Sequence, residues 1–253
     1  MTQAPMNILL IRGLAREVRH WGETPDIIEE RLEGARCHCL DLPGVGTESH
    51  RDSPPSVPRI VEDMRARWSP LRQQAEGDWL VFGISFGGMV AMEWAKRHPA
   101  DFARVVLCNT SAFNLGHPLE RLTPLAMRAL VRAARADGSL ARERVVLSAI
   151  SNDPGRADAI AADWARIGTE TPIRLRLVVQ QLMAASRYQA PRRLDVPTMV
   201  LVSDNDRFVK ASCSIRLAER LGVPVHHHPT AGHALAVDDS AWLADRIAVW
   251  LGR

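Results

Sequence analysis

A serine set between two glycines, in Gly83-Ile84-Ser85-Phe86-Gly87, is the position in this 253-residue chain best suited to nucleophilic chemistry. The apolar run Trp79-Leu80-Val81-Phe82 precedes it and a helix-forming stretch follows, so the serine falls on a sharp strand-to-helix turn. Such a turn strains the backbone at its central residue and is tolerated only where the neighbours lack bulk. Gly83 and Gly87 supply that room, and Gly88 lets the following helix lie close to the sheet. At the helix N-terminus, backbone N–H groups and the helix dipole favour developing negative charge. A chance pentapeptide in a glycine-containing turn is the competing reading, and the strand and helix on either side weigh against it.

A serine hydroxyl is inert without a base. His233, in Thr230-Ala231-Gly232-His233-Ala234, falls in the loop between the last predicted strand and the last predicted helix and is the best candidate. The imidazole in turn needs an acid to fix its tautomer and stabilise its charge. Asp206, in Ser203-Asp204-Asn205-Asp206-Arg207-Phe208-Val209, is favoured for that role, with Asp204 left open as the alternative. A tetrahedral oxyanion needs two inward-pointing N–H donors. One is expected from Phe86, just after the serine, and the other from the turn at Arg12-Gly13-Leu14, through the Leu14 amide. Two other clusters invite a metal. His226-His227-His228 alternates across a short strand and cannot face one ion, and Cys37-His38-Cys39 lacks a second ligand pair at zinc spacing. Both read as strand, and neither a metal nor a cofactor is expected.

Short apolar runs alternate with amphipathic stretches, the pattern of a parallel sheet covered by helices. Strands are predicted at 7–11, 37–40, 79–82, 104–108, 198–202 and 225–227. Helices are predicted from Thr24, read as N-cap with Pro25 at the first helical position, to about Leu32; at 57–75, kinked or interrupted by Pro70; and at 86–97, 211–221 and 241–251. From 112 to 190 the strands stop. Arginine- and alanine-rich helical stretches there are separated by Asp137-Gly138, Asp153-Pro154-Gly155 and Thr171-Pro172. The expected organisation is an α/β core, 1–111 and 191–253, interrupted by an all-helical insertion, 112–190.

Taken together, Gly83 to Gly88, Asp41-Leu42-Pro43-Gly44-Val45-Gly46, Ser203 to Val209 and Gly232-His233 resemble the motifs of the α/β-hydrolase superfamily, in the same order and over nearly the whole chain. That resemblance implies a mostly parallel sheet of about six strands flanked by helices. It also implies that the chain starts at the family's third strand and carries a helical cap between the family's sixth and seventh strands. Within the superfamily the chain looks most like the small capped carboxylesterases and thioesterases, including those that demethylate pimeloyl-carrier-protein esters. The implied chemistry is cleavage of a carboxylic ester or thioester through an acyl-enzyme. Carbon–carbon bond cleavage of a carboxylate substrate by the same three residues is the alternative, and a hydrolase-fold ligand-binding protein with negligible turnover is a second. Relatives that cleave haloalkanes or epoxides use Asp where this chain has Ser85. Family members usually carry His-Gly where this chain has Arg12-Gly13. A guanidinium there either alters specificity, pairs with an acid or bonds loop carbonyls. Arg12 and Trp21 are therefore candidate substrate contacts, packing being the plainer expectation for Trp21.

The composition, 46% hydrophobic and 24% charged, is that of an ordinary globular protein. A net charge of +3, from 32 basic against 29 acidic residues with no basic run, argues against nucleic acid as partner. The N-terminal residues lack a signal-peptide pattern, no apolar stretch has the length of a membrane span, and the four cysteines fit no disulfide framework. A cytoplasmic protein with reduced thiols is expected. Eleven arginines crowd the insertion, Arg132 and Arg135 among them, against seven acids. They read first as solvated helix faces; the alternative is a surface for an anionic partner such as a carrier-protein- or coenzyme-A-linked acyl group. Leu115, Leu119, Leu125, Met127, Leu130, Leu177, Leu182 and Met183 are candidates for an acyl pocket.

Overall fold

The computed structural model describes residues 5–253; the expectation that the N-terminus carries no leader rests partly on Met1–Ala4, outside that range. Six strands form one sheet in the order β2-β1-β3-β4-β5-β6, and every neighbouring pair is parallel. They are β1 (Met6–Ile11), β2 (Ala35–Cys39), β3 (Asp78–Ile84), β4 (Arg104–Cys108), β5 (Thr198–Ser203) and β6 (Val225–His228). Parallel strands covered on both faces need apolar side chains on both, which is why Ile8-Leu9-Leu10-Ile11 and Met199-Val200-Leu201-Val202 are wholly buried. The edge strands are more polar: β2 carries His38, and β6 is three-quarters histidine.

One face is covered by α2 (Val57–Gln74), α3 (Phe86–Arg97) and α9 (Ala211–Leu221), whose Met64, Trp68, Trp94 and Leu217 close over Leu9, Val81 and Val105. The other is covered by α1 (Thr24–Arg31) and α11 (Ser240–Leu251), where Ile28, Leu243 and Ile247 meet Leu10, Phe82 and Met199. Two local expectations change. Thr24 is the first helical residue rather than the cap, because its hydroxyl donates to the Ala236 carbonyl at 3.0 Å, and Glu23 precedes the helix. Of the kink or interruption expected at Pro70, the interruption does not occur, and α2 continues to Gln74. Pro70 is exposed near the helix end, and the carbonyl whose partner N–H it lacks belongs to exposed Ala66, within reach of solvent.

Between β4 and β5 the chain forms only helices: α4 (Pro118–Arg121), α5 (Pro124–Ala134), α6 (Ser139–Ile150), α7 (Ala157–Glu170) and α8 (Leu175–Arg187). The three predicted breaks fall between them. Helices α5, α6 and α7 pack in series around Leu147, Ile150, Ala161 and Trp164, with Ala234 of the core contributing to the same cluster. The short α10 (Leu235–Asp238) precedes α11.

The strand order fixes where a site can form. The chain runs outward from β1 to β2 and then returns to place β3 on the other side of β1. The loops after β1 and β3 therefore diverge to opposite faces and leave a crevice at their carboxyl ends, where ligands bind in open α/β sheets. Ile11 lies opposite Gly83 in that register, so Gly13 and Ser85 meet at the crevice.

Candidate active site

Ser85 follows β3 with φ 57° and ψ −119°, a strained conformation for a residue with a Cβ. Its N–H donates to the Cys108 carbonyl at 2.8 Å, and its carbonyl accepts from Gly88 N at 3.0 Å and Thr110 Oγ1 at 2.7 Å. These bonds hold the turn in place. A Cβ on Gly83 would run into the Gly87 carbonyl, and one on Gly87 into the carbonyls of Ile11 and Arg12, so both glycines are needed for the close approach.

Ser85 Oγ lies 2.8 Å from His233 Nε2, and His233 Nδ1 lies 2.7 Å from Asp206 Oδ2. A carboxylate only accepts, so in the neutral ring the proton sits on Nδ1 and Nε2 is left bare toward the serine hydroxyl. Asp206 and His233 are both buried, while Ser85 is half-buried and faces a cavity. The other Asp206 oxygen, Oδ1, accepts from the amides of Phe208 at 2.8 Å and Val209 at 2.9 Å. Asp204 turns outward to exposed His227 at 2.7 Å and is not part of this arrangement.

The amides of Leu14 and Phe86 flank the serine, and among the described residues neither donates to a protein acceptor. A developing oxyanion needs two free N–H donors, and these two amides are the unpaired ones next to Ser85 in the chain and next to Gly13 at the cavity. The four cysteines are free, and burial raises the thiols of Cys37 and Cys108 and pushes Cys39 up to about 12, so none rivals Ser85 as a nucleophile at neutral pH.

Arg12 meets neither structural expectation. Among the described residues it pairs with no acid and bonds no loop carbonyl, and its buried Nε and Nη1 have no partner; its guanidinium lies 4.5 Å from the Trp21 ring centroid. Burial, then repulsion from Arg16, push its pKa down to about 9. Arg12 does line the cavity in front of Ser85. Trp21 does not: its ring packs edge-on against Phe82 in the core, 5.7 Å between centroids, which removes it as a contact in that cavity.

The cavity measures about 450 Å³ and is walled by α5, α6 and α8 together with the Gly13–Arg16 turn, Phe208 and Ala234. Of the apolar residues singled out in sequence, Leu130 and Leu182 line it. Leu177 faces the core instead, Leu115 packs on that core, and Leu119, Leu125, Met127 and Met183 are exposed. Val131, Val146, Ile150, Leu175, Val178 and Val179 also line the cavity and carried no sequence signal beyond helical amphipathicity.

Three further residues shape the site. Buried Asn109, with φ 45° at the end of β4, donates from Nδ2 to Ser203 Oγ and the His233 carbonyl, each at 2.9 Å, and accepts the Ser203 amide at 2.8 Å. It thereby joins the loops that carry Asp206 and His233. Asp238 accepts the Gly232 amide at 2.6 Å, and Phe208 stacks on the His233 ring with centroids 5.0 Å apart. An Asn directly after a strand, able to enter the left-handed region, is a signal that could have drawn attention to position 109.

Residues 7–240 match a hydrolase family described as serine aminopeptidase, S33. The chain belongs to this family. It is an enzyme of the α/β-hydrolase esterase type. Among curated proteins, the chain is 27% identical to a pimeloyl-[acyl-carrier protein] methyl ester esterase of Neisseria meningitidis, across 95% of this chain and 88% of that protein. It is 25% identical to one of the same name from Nitrosospira multiformis, across 79% of this chain and 76% of that protein. A thermophilic esterase from Thermogutta terrifontis shares its fold with a TM-score of 0.74 at 20% identity, covering 99% of this chain and 90% of that one. Among the described residues no helix is long and apolar enough to cross a membrane, and no cluster of three or more His, Cys, Asp or Glu side chains is placed to hold a metal.

Proposed function

We propose that this hydrolase cleaves a carboxylic ester or thioester through an acyl-enzyme formed on Ser85. The observation that carries the reading is the 2.8 Å approach of Ser85 Oγ to a His233 ring whose other nitrogen is held by Asp206. His233 Nε2 takes the hydroxyl proton as Oγ attacks the carbonyl carbon, and returns it to the departing alkoxide or thiolate. The Leu14 and Phe86 amides hold the tetrahedral oxyanion in each half-reaction. Water then enters, gives its proton to His233, and attacks the acyl carbon to release the acid and restore Ser85.

The helical segment 112–190 acts as a cap over a core made of 1–111 and 191–253, and the mostly apolar cavity beneath it takes the acyl chain. On α5, Arg128 and Arg132, with Arg135 at its end, are exposed and make no ion pair among the described residues, and α5 itself contains no acid. The names of the two curated relatives bring a carrier-linked ester within the substrate class, and such a rim suits an anionic carrier. A second reading, carbon–carbon bond cleavage of a carboxylate substrate by the same residues, has one observation behind it: the unpartnered guanidinium of Arg12 at the cavity wall.

A panel of p-nitrophenyl esters and acyl thioesters graded by chain length tests the reading. Wild type is expected to turn over several members, and Ser85→Ala to lose at least about 10⁴-fold in kcat on all of them with its circular dichroism unchanged. Retained activity in Ser85→Ala removes the proposal.

A further inference from the structure

The turn that carries the Leu14 amide is held by the inserted helices as well as by the sheet. Gln181 of α8 is wholly buried, and its Oε1 accepts the Ala15 amide at 2.8 Å. Ala15 has φ 53°, in the left-handed region, where a Cβ crowds the backbone. A residue held there needs surroundings that over-determine it. From α6, buried Glu143 accepts from Arg16 Nη1 at 2.7 Å, and the same guanidinium lies 4.4 Å from the ring centroid of Trp164 in α7. Thr171, between α7 and α8, donates to Glu17 Oε2 at 2.7 Å. Residues 15, 16 and 17 are thus each bonded to the segment between β4 and β5.

On the core side the turn is bonded mostly to its own neighbours, Glu17 N donating to His20 Nδ1 and Arg16 Nη1 lying 3.1 Å from His20 Nε2. Arg16 N donates to the Gly13 carbonyl at 3.3 Å, and Val18 N to Asp41 Oδ1 at 2.8 Å. Of the amides from 14 to 16, only that of Leu14 has no protein acceptor among the described residues. It is one residue from the amide that Gln181 holds. Fixing the Leu14–Ala15 peptide plane leaves Leu14 only its own φ and ψ with which to turn its N–H. The Gln181 Nε2 is buried and has no partner among the described residues, so Oε1 alone makes the tie.

We propose that Gln181 is a positioning residue, which holds the Ala15 N–H from α8 and so keeps the Leu14 N–H aimed at the carbonyl attacked by Ser85. Glu143 secures the same turn from α6. The oxyanion site is then complete only while the inserted helices are docked on the turn. This inference rests on the roles given above to Ser85 and Leu14.

Gln181→Met keeps the chain length and removes the acceptor, whereas Gln181→Glu keeps an oxygen in the same place. The assay is p-nitrophenyl butyrate hydrolysis, with active sites counted by a fluorophosphonate burst and oxyanion binding read from inhibition by phenylboronic acid. Gln181→Met is expected to lower kcat per titrated site about tenfold to a hundredfold with KM within about twofold, and to weaken the boronic acid by a similar factor. Gln181→Glu is expected to recover kcat to within about threefold of wild type. Should Gln181→Met fail to fold, Gln181→Leu is read in the same way. A variant lacking the acceptor that lowers Tm but keeps kcat per site and boronic acid affinity assigns Gln181 to packing and overturns the inference. So does an equal loss in a folded Gln181→Glu. A wild type that turns the ester over but gives no fluorophosphonate adduct on Ser85 fails the acyl-enzyme reading instead, so the two failures are distinct.

Discussion

Ser85, His233 and Asp206 stand beyond the carboxyl ends of strands in one sheet, Ser85 and Asp206 held by hydrogen bonds to nearby backbone and His233 by the side chain of Asn109 on its carbonyl. The cavity in front of them is built otherwise. Its walls are side chains of α5, α6 and α8, and Val131, Leu175 and Val179 at its edge are 48%, 69% and 47% exposed. One region holds reacting atoms through directional hydrogen bonds; the other offers mostly apolar surface that specifies no direction. Proton transfer depends steeply on the first kind of precision, while acyl-chain choice needs only shape and apolar area. Damage to the first region should therefore depress every substrate alike, and changes in the second should sort substrates by size.

Asp206→Asn is the sharpest way to break the contrast from the first side. It keeps the shape but favours the wrong imidazole tautomer, so kcat should fall about 10⁴-fold on short and long esters equally. Steady-state kinetics across the chain-length panel checks this, and a loss confined to one acyl length would erase the distinction between the two regions. Leu182→Trp tests the other side by filling the cavity. We expect kcat/KM for octanoyl esters to drop about tenfold to a hundredfold while acetyl esters stay within about twofold of wild type. An equal drop for both would mean that the cavity does not hold the acyl chain.

The smallest effect is expected at the seam between the regions. His20 is buried in contact with Trp164 and Arg16, and Arg16 Nη1 lies 3.1 Å from its Nε2, which can only accept there. Burial, then the positive charges of Arg16 and Arg12, hold the ring far below the usual histidine range. Above about pH 6.5 the ring is neutral in both folded and unfolded chains and contributes no pH dependence. Below it, the unfolded ring takes a proton that the folded ring refuses, so stability is lost as pH falls, by about 1.4 kcal/mol per unit from this group. Urea unfolding of wild type and His20→Gln between pH 6 and 5 should show that difference in slope. Parallel slopes would place a charged imidazole at the seam.

The same contrast explains what could be read from the sequence. Each residue of the proposed triad lies in a short signal beside a strand: a serine between glycines, an acid in the loop after β5, a Gly-His after β6. Continuous apolar runs identified the parallel strands for the same local reason. The cavity had no such signal, because amphipathicity marks the apolar face of a helix but not whether core, cavity or solvent meets it. Leu177 and Leu182 both lie on α8, yet one packs on the core and the other faces Ser85. Thr24 was misplaced by a comparable gap: its hydroxyl bonds Ala236, more than two hundred residues away. Arg12 was legible as a departure from the family pattern, but its resting place over Trp21 was not.

The central claim is that the hydroxyl of Ser85 becomes covalently acylated during turnover. Mass spectrometry of enzyme quenched while hydrolysing a slow p-nitrophenyl ester tests it most directly. The account predicts a single acyl adduct on the peptide containing Ser85, absent from Ser85→Ala. Turnover with no adduct, or an adduct on another residue, would contradict it.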